Sequence, residues 1–142
     1  MNRYRFVLDT NVFLVSLASK YKYHWIYQAI IHDKFDLCVS TEILLEYEEI
    51  VASRYGLERT EVILRYLLLL PNVHLIEPSY VWELIKTDPD DNKFIDCYIA
   101  GSADALVGND KHFDILRQIN FPMVKVLKYE AFESLYKDEF SA

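Results

Sequence analysis

The feature that most constrains this chain is an alternation of short β-rich runs with longer stretches of helical period. The runs are Arg5-Phe6-Val7-Leu8, Phe35-Asp36-Leu37-Cys38-Val39, Val73-His74-Leu75-Ile76, Ala105-Leu106-Val107 and Val124-Lys125-Val126-Leu127. Between them the apolar residues recur at helical spacing over 11–32, 40–54, 58–70, 78–86, 91–102 and 111–118, and again over 129–137. Strands separated by helices predict an α/β fold: a three-layer α/β/α sandwich around a central, mainly parallel sheet of about five strands. Local signals agree. Ser40-Thr41 before Glu42 reads as a helix cap, Pro71-Asn72 stops a helix ahead of the third strand, and Asp88-Pro89-Asp90 reads as a turn. No repeat or Gly/Ser/Pro-rich linker divides the 142 residues, so residues 1–142 are expected to form one domain.

Composition excludes several classes. Three Gly, four Pro and 26% charged residues fit neither a collagenous nor a disordered chain. Two cysteines, Cys38 and Cys97, sit in apolar stretches and read as small buried hydrophobes in a reducing compartment. The longest apolar stretch, Val62 to Leu70, contains Arg65 and is far shorter than the ~20 residues a membrane span needs. Phe6-Val7-Leu8 stops at Asp9, too early for a signal peptide. A soluble, cytoplasmic protein without a membrane partner is the expectation.

The formal charge of −7 argues against a nucleic-acid partner unless the acids are concentrated at one place. Their positions suggest that they are. In open parallel sheets functional groups gather beyond the carboxyl ends of the strands. Asp9 ends the first strand there and Asp110 follows the fourth, although either carboxylate alone is equally a helix cap. Glu46 lies beside the inward stripe Ile43, Tyr47, Ile50 and Val51, where a plain surface acid is the simpler alternative. Asn92 and Asp96 are four apart, on a helix face that continues to Ile99, Ala100 and Ala103; burying a lone carboxylate on such a face is costly. Asp91 falls in the first turn of that helix, where the helix dipole is a sufficient reason for it.

Carboxylates held close together repel one another and are tolerated mainly beside a cation. His24, His32, His74 and His112 form no HxH or HxxxH, so an oxygen-only set suits Mg²⁺ or Mn²⁺ rather than Zn²⁺. Without Asp9, Glu46, Asp91, Asp96 and Asp110, 17 acids remain against 15 basic residues, a balance of −2. Two divalent ions nearly cancel the cluster, and a phosphate-rich substrate is no longer excluded.

These motifs resemble the PIN (PilT N-terminus) nuclease domain over essentially the whole chain. The markers are Val7-Leu8-Asp9-Thr10-Asn11, then Leu44-Leu45-Glu46-Tyr47, then Asp90-Asp91-Asn92-Lys93-Phe94-Ile95-Asp96, and finally Val107-Gly108-Asn109-Asp110. Each is short; their order and strand context are specific. The version Asp-Pro-Asp-Asp-Asn-Lys-Phe is similar to PIN proteins of prokaryotic toxin–antitoxin systems. The resemblance implies that Asp9, Glu46, Asp96 and Asp110 form the acidic catalytic and metal-binding set, with Asp91 as an addition. It makes Asn11 the polar residue near the first acid and lets Asn92 or Asn109 tune the shell, Asn109 standing where many relatives carry Ser or Thr.

The implied activity is Mg²⁺- or Mn²⁺-dependent endoribonuclease cleavage leaving 5′-phosphate and 3′-hydroxyl ends, with RNA, an antitoxin protein and a second copy of the chain as partners. Lys93, Lys111 and His112 lie beside the predicted site, as phosphate contacts or as solvated surface charge. Lys20-Tyr21-Lys22-Tyr23-His24-Trp25 interleaves cations and aromatics as single-strand-binding surfaces do, with Trp25 better read as core. The helix around Val62 to Leu70 is more apolar than one buried face requires; deep burial is the simple account, a dimer interface or antitoxin groove the other. Two rival functions stand beside the nuclease. One is a catalytically silent PIN-like binding module. The other is an aspartyl-phosphate phosphohydrolase, which wants a second Asp where Asn11 stands.

Overall fold

Phe6, Val7 and Leu8 are completely buried, which consecutive strand residues achieve only when both faces of their sheet are covered. The computed structural model, which describes residues 3–86 and 89–142, shows how. Five strands, β1 (Arg5–Leu8), β2 (Asp36–Val39), β3 (Val73–Leu75), β4 (Ala105–Val107) and β5 (Val126–Leu127), form one sheet in the order β3-β2-β1-β4-β5. Every pairing is parallel. The helices are α1 (Thr10–Ser16), α2 (His24–Ile31), α3 (Thr41–Tyr55), α4 (Leu57–Leu69), α5 (Asn92–Ala100) and α6 (Tyr129–Ser141), with 3₁₀ segments at Pro89–Asp91 and Lys111–Gln118. Among the described residues no helix is long and apolar enough to cross a membrane.

Pleating assigns the layers. Phe6 and Leu37 are register partners and point to one face. There Phe6 meets Phe35 and, from α6, Phe132 and Tyr136, with ring centres 4.9–5.1 Å apart. Cys38 points to the other face, against the end of α5, where a Cβ on Gly101 would lie 3.2 Å from its Sγ. Cys38 and Cys97 are buried and unbridged. The expected α/β fold with helices on both faces is therefore the observed one.

Two helices expected from apolar spacing differ. The stretch 11–32 is two helices, α1 and α2. Ser16 Oγ turns back to the Phe13 carbonyl at 2.6 Å, and the His24 ring bonds the Ser16 carbonyl at 2.8 Å, so side chains satisfy the broken turn. The stretch 78–86 forms no helix. Its backbone is held from outside: Trp82 N–H donates to Asp96, Ile85 N–H donates to the Asn92 Oδ1, and Asn92 Nδ2 donates back to the Ile85 carbonyl. It is an irregular strap tied to α5, with Glu83 at a positive φ of 52°. Asp88, in the expected turn, lies outside the described residues. The apolar α4 is not deeply buried either: Leu64 and Leu67 point inward, while Val62, Tyr66, Leu68 and Leu69 are exposed.

Candidate functional site

Strand order decides where the chain ends converge. From β1 the chain goes to β2 on one side, and β4 later returns on the other, so β1 and β4 flank the point where the winding reverses. Leu8 is in register with Val107, and Asp9 N–H donates to the Val107 carbonyl at 2.9 Å. The residues following the two strands are thereby set side by side. Those residues are Asp9 and Gly108-Asn109-Asp110.

Asp9 is 6% exposed. It caps α1, its Oδ1 accepting the Val12 N–H at 2.8 Å. One such bond does not offset burial, which together with the neighbouring Asp110, Asp91 and Glu46 carboxylates raises the Asp9 pKa to about 7. Asp110 accepts the His112 N–H at 2.9 Å and so caps the 3₁₀ segment. Asp91 arrives from the start of α5. His112 Nδ1 stands 3.3 Å from Asp91 and 3.1 Å from Asp110, and one ligand atom of each of the three lies within 4.8 Å of the others. A cavity of about 200 Å³ is lined by Asp9, Asn11, Glu46, Asp91 and Asp110. Each of the four carboxylates comes from a different element: the ends of β1 and β4, the middle of α3, and the start of α5.

Glu46 is anchored. Thr10, 6% exposed, donates its hydroxyl to it, and Lys93 Nζ stands 2.8 Å away while donating to the Asp90 carbonyl at 2.6 Å. Lys93, expected to touch substrate, is thus committed within the protein. Lys111 is exposed. Below Glu46, the fully buried Tyr47 stacks on Phe13 at 4.2 Å and donates its hydroxyl to the Leu8 carbonyl at 2.6 Å, fixing the end of β1.

Two expected members stand elsewhere. Asp96 lines a different small cleft, with Glu42, Glu77 and Lys93, and accepts the Trp82 N–H at 3.1 Å. Burial raises its pKa, the Trp82 bond opposes that, and Glu42 and Glu83 are the carboxylates it feels. Asn92, 7% exposed, gives both ends of its amide to Ile85. The shared face that suggested a shell residue and a ligand instead holds the strap. Asp96 is therefore set apart from the acids it was expected to join. Asn11 lines the acidic cavity, and Asn109 Oδ1 accepts the Tyr129 N–H at 2.7 Å.

Three contributors are not apparent from the sequence. Gly108 is one: a Cβ there would lie 2.7 Å from Asp9 Oδ2, so only glycine lets β4 pass the carboxylate. Its signal is the glycine directly after a buried strand. Thr10 and Tyr47 are the others, and each acts through a long-range hydrogen bond that spacing does not reveal. His112 is expected as a neighbour, but its place between two acids has no local pattern.

A family model described as PIN domain matches residues 5–112. No curated protein matches the sequence. Among solved structures, VapBC2 from Rickettsia felis bound to a DNA fragment from their promoter superposes with a TM-score of 0.61 at 15% identity, covering 88% of this chain and 98% of that one. DNA-bound VapBC from Salmonella typhimurium gives a TM-score of 0.57 at 14% identity with the same coverage. At these identities the likeness is one of fold.

Proposed function

The chain belongs to the PIN-domain family, and from that premise we propose that it is a metal-dependent endoribonuclease acting as the toxin of a toxin–antitoxin pair. The observation that carries the reading is the convergence of Asp9, Glu46, Asp91 and Asp110 at the winding reversal, with Asp9 buried beneath the others. Such a concentration of like charge suits a divalent cation. The donor set is oxygen-rich with one imidazole, which fits Mg²⁺ or Mn²⁺ bound through Asp9, Asp91 and Asp110, with Glu46 and His112 beside them. Bound there, a divalent ion supplies positive charge for a phosphodiester and favours ionisation of water.

The chain's own residues do the rest. Asp9, locked by Val12 N–H and by the absence of a side chain at Gly108, is the fixed member. Thr10 and Lys93 hold Glu46 toward the cavity, and Tyr47 holds the strand end. A water attacking phosphorus as the 3′ oxygen departs yields the 5′-phosphate and 3′-hydroxyl ends; a carboxylate of the set accepts the water's proton, and the departing oxygen takes one from solvent.

Similarity to the two VapBC structures supports the toxin reading. So does the unpartnered apolar face of α4, where Val62 is 64% and Leu69 77% exposed. Beside it a cavity of about 610 Å³ is lined by Leu17, Tyr55, Val62 and Ile63. We assign this face to an antitoxin; a second copy of the chain is the competing occupant. RNA as substrate and buried, unbridged cysteines suit the cytoplasm.

The test is cleavage of a mixed single-stranded RNA pool with and without Mn²⁺, with Asp91→Asn protein purified in parallel. Cleavage that requires the metal and vanishes in the variant is the expected result. Absent cleavage together with absent Mn²⁺ binding, measured by calorimetry, would overturn the nuclease reading in favour of a silent binding module.

A further inference from the structure

A second cavity, of about 260 Å³, adjoins the acidic one and shares Asp9, Asn11 and Asp110 with it. Its remaining walls have a different chemistry. Val12 and Val15 of α1 provide an apolar side, Tyr23 an aromatic one, and Asn109 an amide at the rim. Nothing in the metal set requires an aromatic ring at this place.

The ring is held firmly. Tyr23 lies in the irregular turn between α1 and α2, packed on the buried Tyr129 with ring centres 3.7 Å apart. Tyr129 is itself fixed: its hydroxyl accepts the Trp25 Nε1–H at 3.2 Å and donates to Glu133, and its N–H bonds Asn109. Lys22 Nζ sits 5.7 Å from the centre of the Tyr23 ring and 5.2 Å from that of Tyr129, so a positive charge flanks the same wall. The break in the helix at 17–23 is what brings this group beside the acids. A continuous helix would have carried Tyr23 away along its axis.

A space larger than a nucleobase, with an aromatic wall, an aliphatic wall and the Asn11 amide able to donate and accept, matches how unpaired bases are held in RNA complexes. Its opening onto Asp9 and Asp110 puts such a base one step from the phosphate that those acids serve. We propose that this cavity receives a single unstacked base adjacent to the scissile phosphate, with Tyr23 as its stacking residue. The substrate class is then RNA carrying an unpaired nucleotide at the cut position, rather than continuous duplex. This rests on the nuclease reading above.

The test pairs a protein change with a substrate change. After the cut position is mapped on one single-stranded oligonucleotide with Mn²⁺, the base on each side of it is replaced in turn by an abasic site. Tyr23→Ala, which removes the ring, and Val15→Phe, which fills the cavity from the opposite wall, are assayed beside the unmodified protein. Expected is a tenfold to hundredfold fall in kcat/KM for each variant and for one of the two abasic substrates, the usual size of a lost base–aromatic stack. Variant and abasic substrate together should lose no more than either alone, with Mn²⁺ affinity unchanged. If neither abasic substrate is cut more slowly, or if the losses multiply, the base subsite is wrong while the nuclease stands. If the unmodified protein neither binds Mn²⁺ nor cuts RNA, the nuclease reading falls and takes the subsite with it. Should Tyr23→Ala fail to fold, Val15→Phe decides the matter.

Discussion

Asp9 and Asp96 are buried to nearly the same extent, 6% and 8% exposed, and burial raises both pKa values, yet they belong to opposite kinds of acidic corner. Around Asp9 three further carboxylates converge from separate elements. Around Asp96 the important neighbour is a backbone donor, Trp82 N–H, and the adjoining acids Glu42 and Glu83 belong to the cleft wall and the strap. Burial alone therefore does not distinguish a ligand from a structural acceptor. Both accept one backbone N–H and both feel neighbouring acids; what distinguishes them is that three further carboxylates share one cavity with Asp9, whereas the cleft of Asp96 also holds the Lys93 ammonium.

The contrast is sharpest in exchanged substitutions. Asp91→Asn is expected to lower Mn²⁺-dependent RNA cleavage by about a thousandfold, on the scale of losing a main electrostatic contributor. Asp96→Asn, which keeps an acceptor for Trp82, should stay within a few-fold of the unmodified rate. An inactive Asp96→Asn protein that still folds would erase the distinction between the corners.

A comparable effect is expected in metal-free stability. The folded pKa of Asp9, about 7, lies above its unfolded value of 3.8, so the folded state holds the proton more tightly. That contribution is complete below pH ~4 and is lost as pH rises through 7. Each tenfold gain in proton affinity is worth about 1.4 kcal/mol, so the whole contribution amounts to a few kcal/mol. Denaturant titrations without divalent ions should show stability falling across this window, and Asp9→Asn should flatten the fall. A profile that Asp9→Asn leaves unchanged would mean the cluster is not where the charge is stored.

Next comes Gly108→Ala, whose Cβ would push Asp9 Oδ2 from 2.7 Å. Displacing a ligand through its support commonly costs 10–100-fold in metal affinity, and calorimetry with Mn²⁺ should read a loss of that order. The smallest effect belongs to the other corner. Asp96→Ala leaves the Trp82 N–H without its acceptor and should destabilise the fold by about 1–3 kcal/mol in chemical denaturation, with Mn²⁺ affinity unaltered.

The same contrast explains what can be read from the sequence. Strands and their trailing acids are local: the three apolar strand residues Phe6-Val7-Leu8 followed by Asp9, or Val107 followed closely by Asp110, announce both an element and its end. Glu46 is legible because α3 keeps a regular stripe in which Ile43, Tyr47 and Val51 are all fully buried. Asp96 is misplaced by the sequence because its i, i+4 relation to Asn92 reports a shared face without reporting what covers it. The cover is 78–86, whose apolar spacing suggests a helix while two of its N–H groups, those of Trp82 and Ile85, are taken by side chains of α5. The division at 17–23 is equally hidden, since no Gly or Pro marks it and Ser16 and His24 close the gap with side chains.

The parallel register of Leu8 with Val107 has a consequence in time as well as in space. Asp110 is made 101 residues after Asp9. At synthesis rates of about 5–20 residues per second, roughly 5–20 s separate them. Through that interval the growing chain carries β1 without the neighbour that completes its edge, and the acids remain scattered. An N-terminal fragment ending before β4 holds Asp9, Glu46 and Asp91 but no strand to gather them against. A product that stops before β4 thus lacks the shared cavity by topology, and whatever chemistry the four acids perform together begins only once β4 and Asp110 have been made.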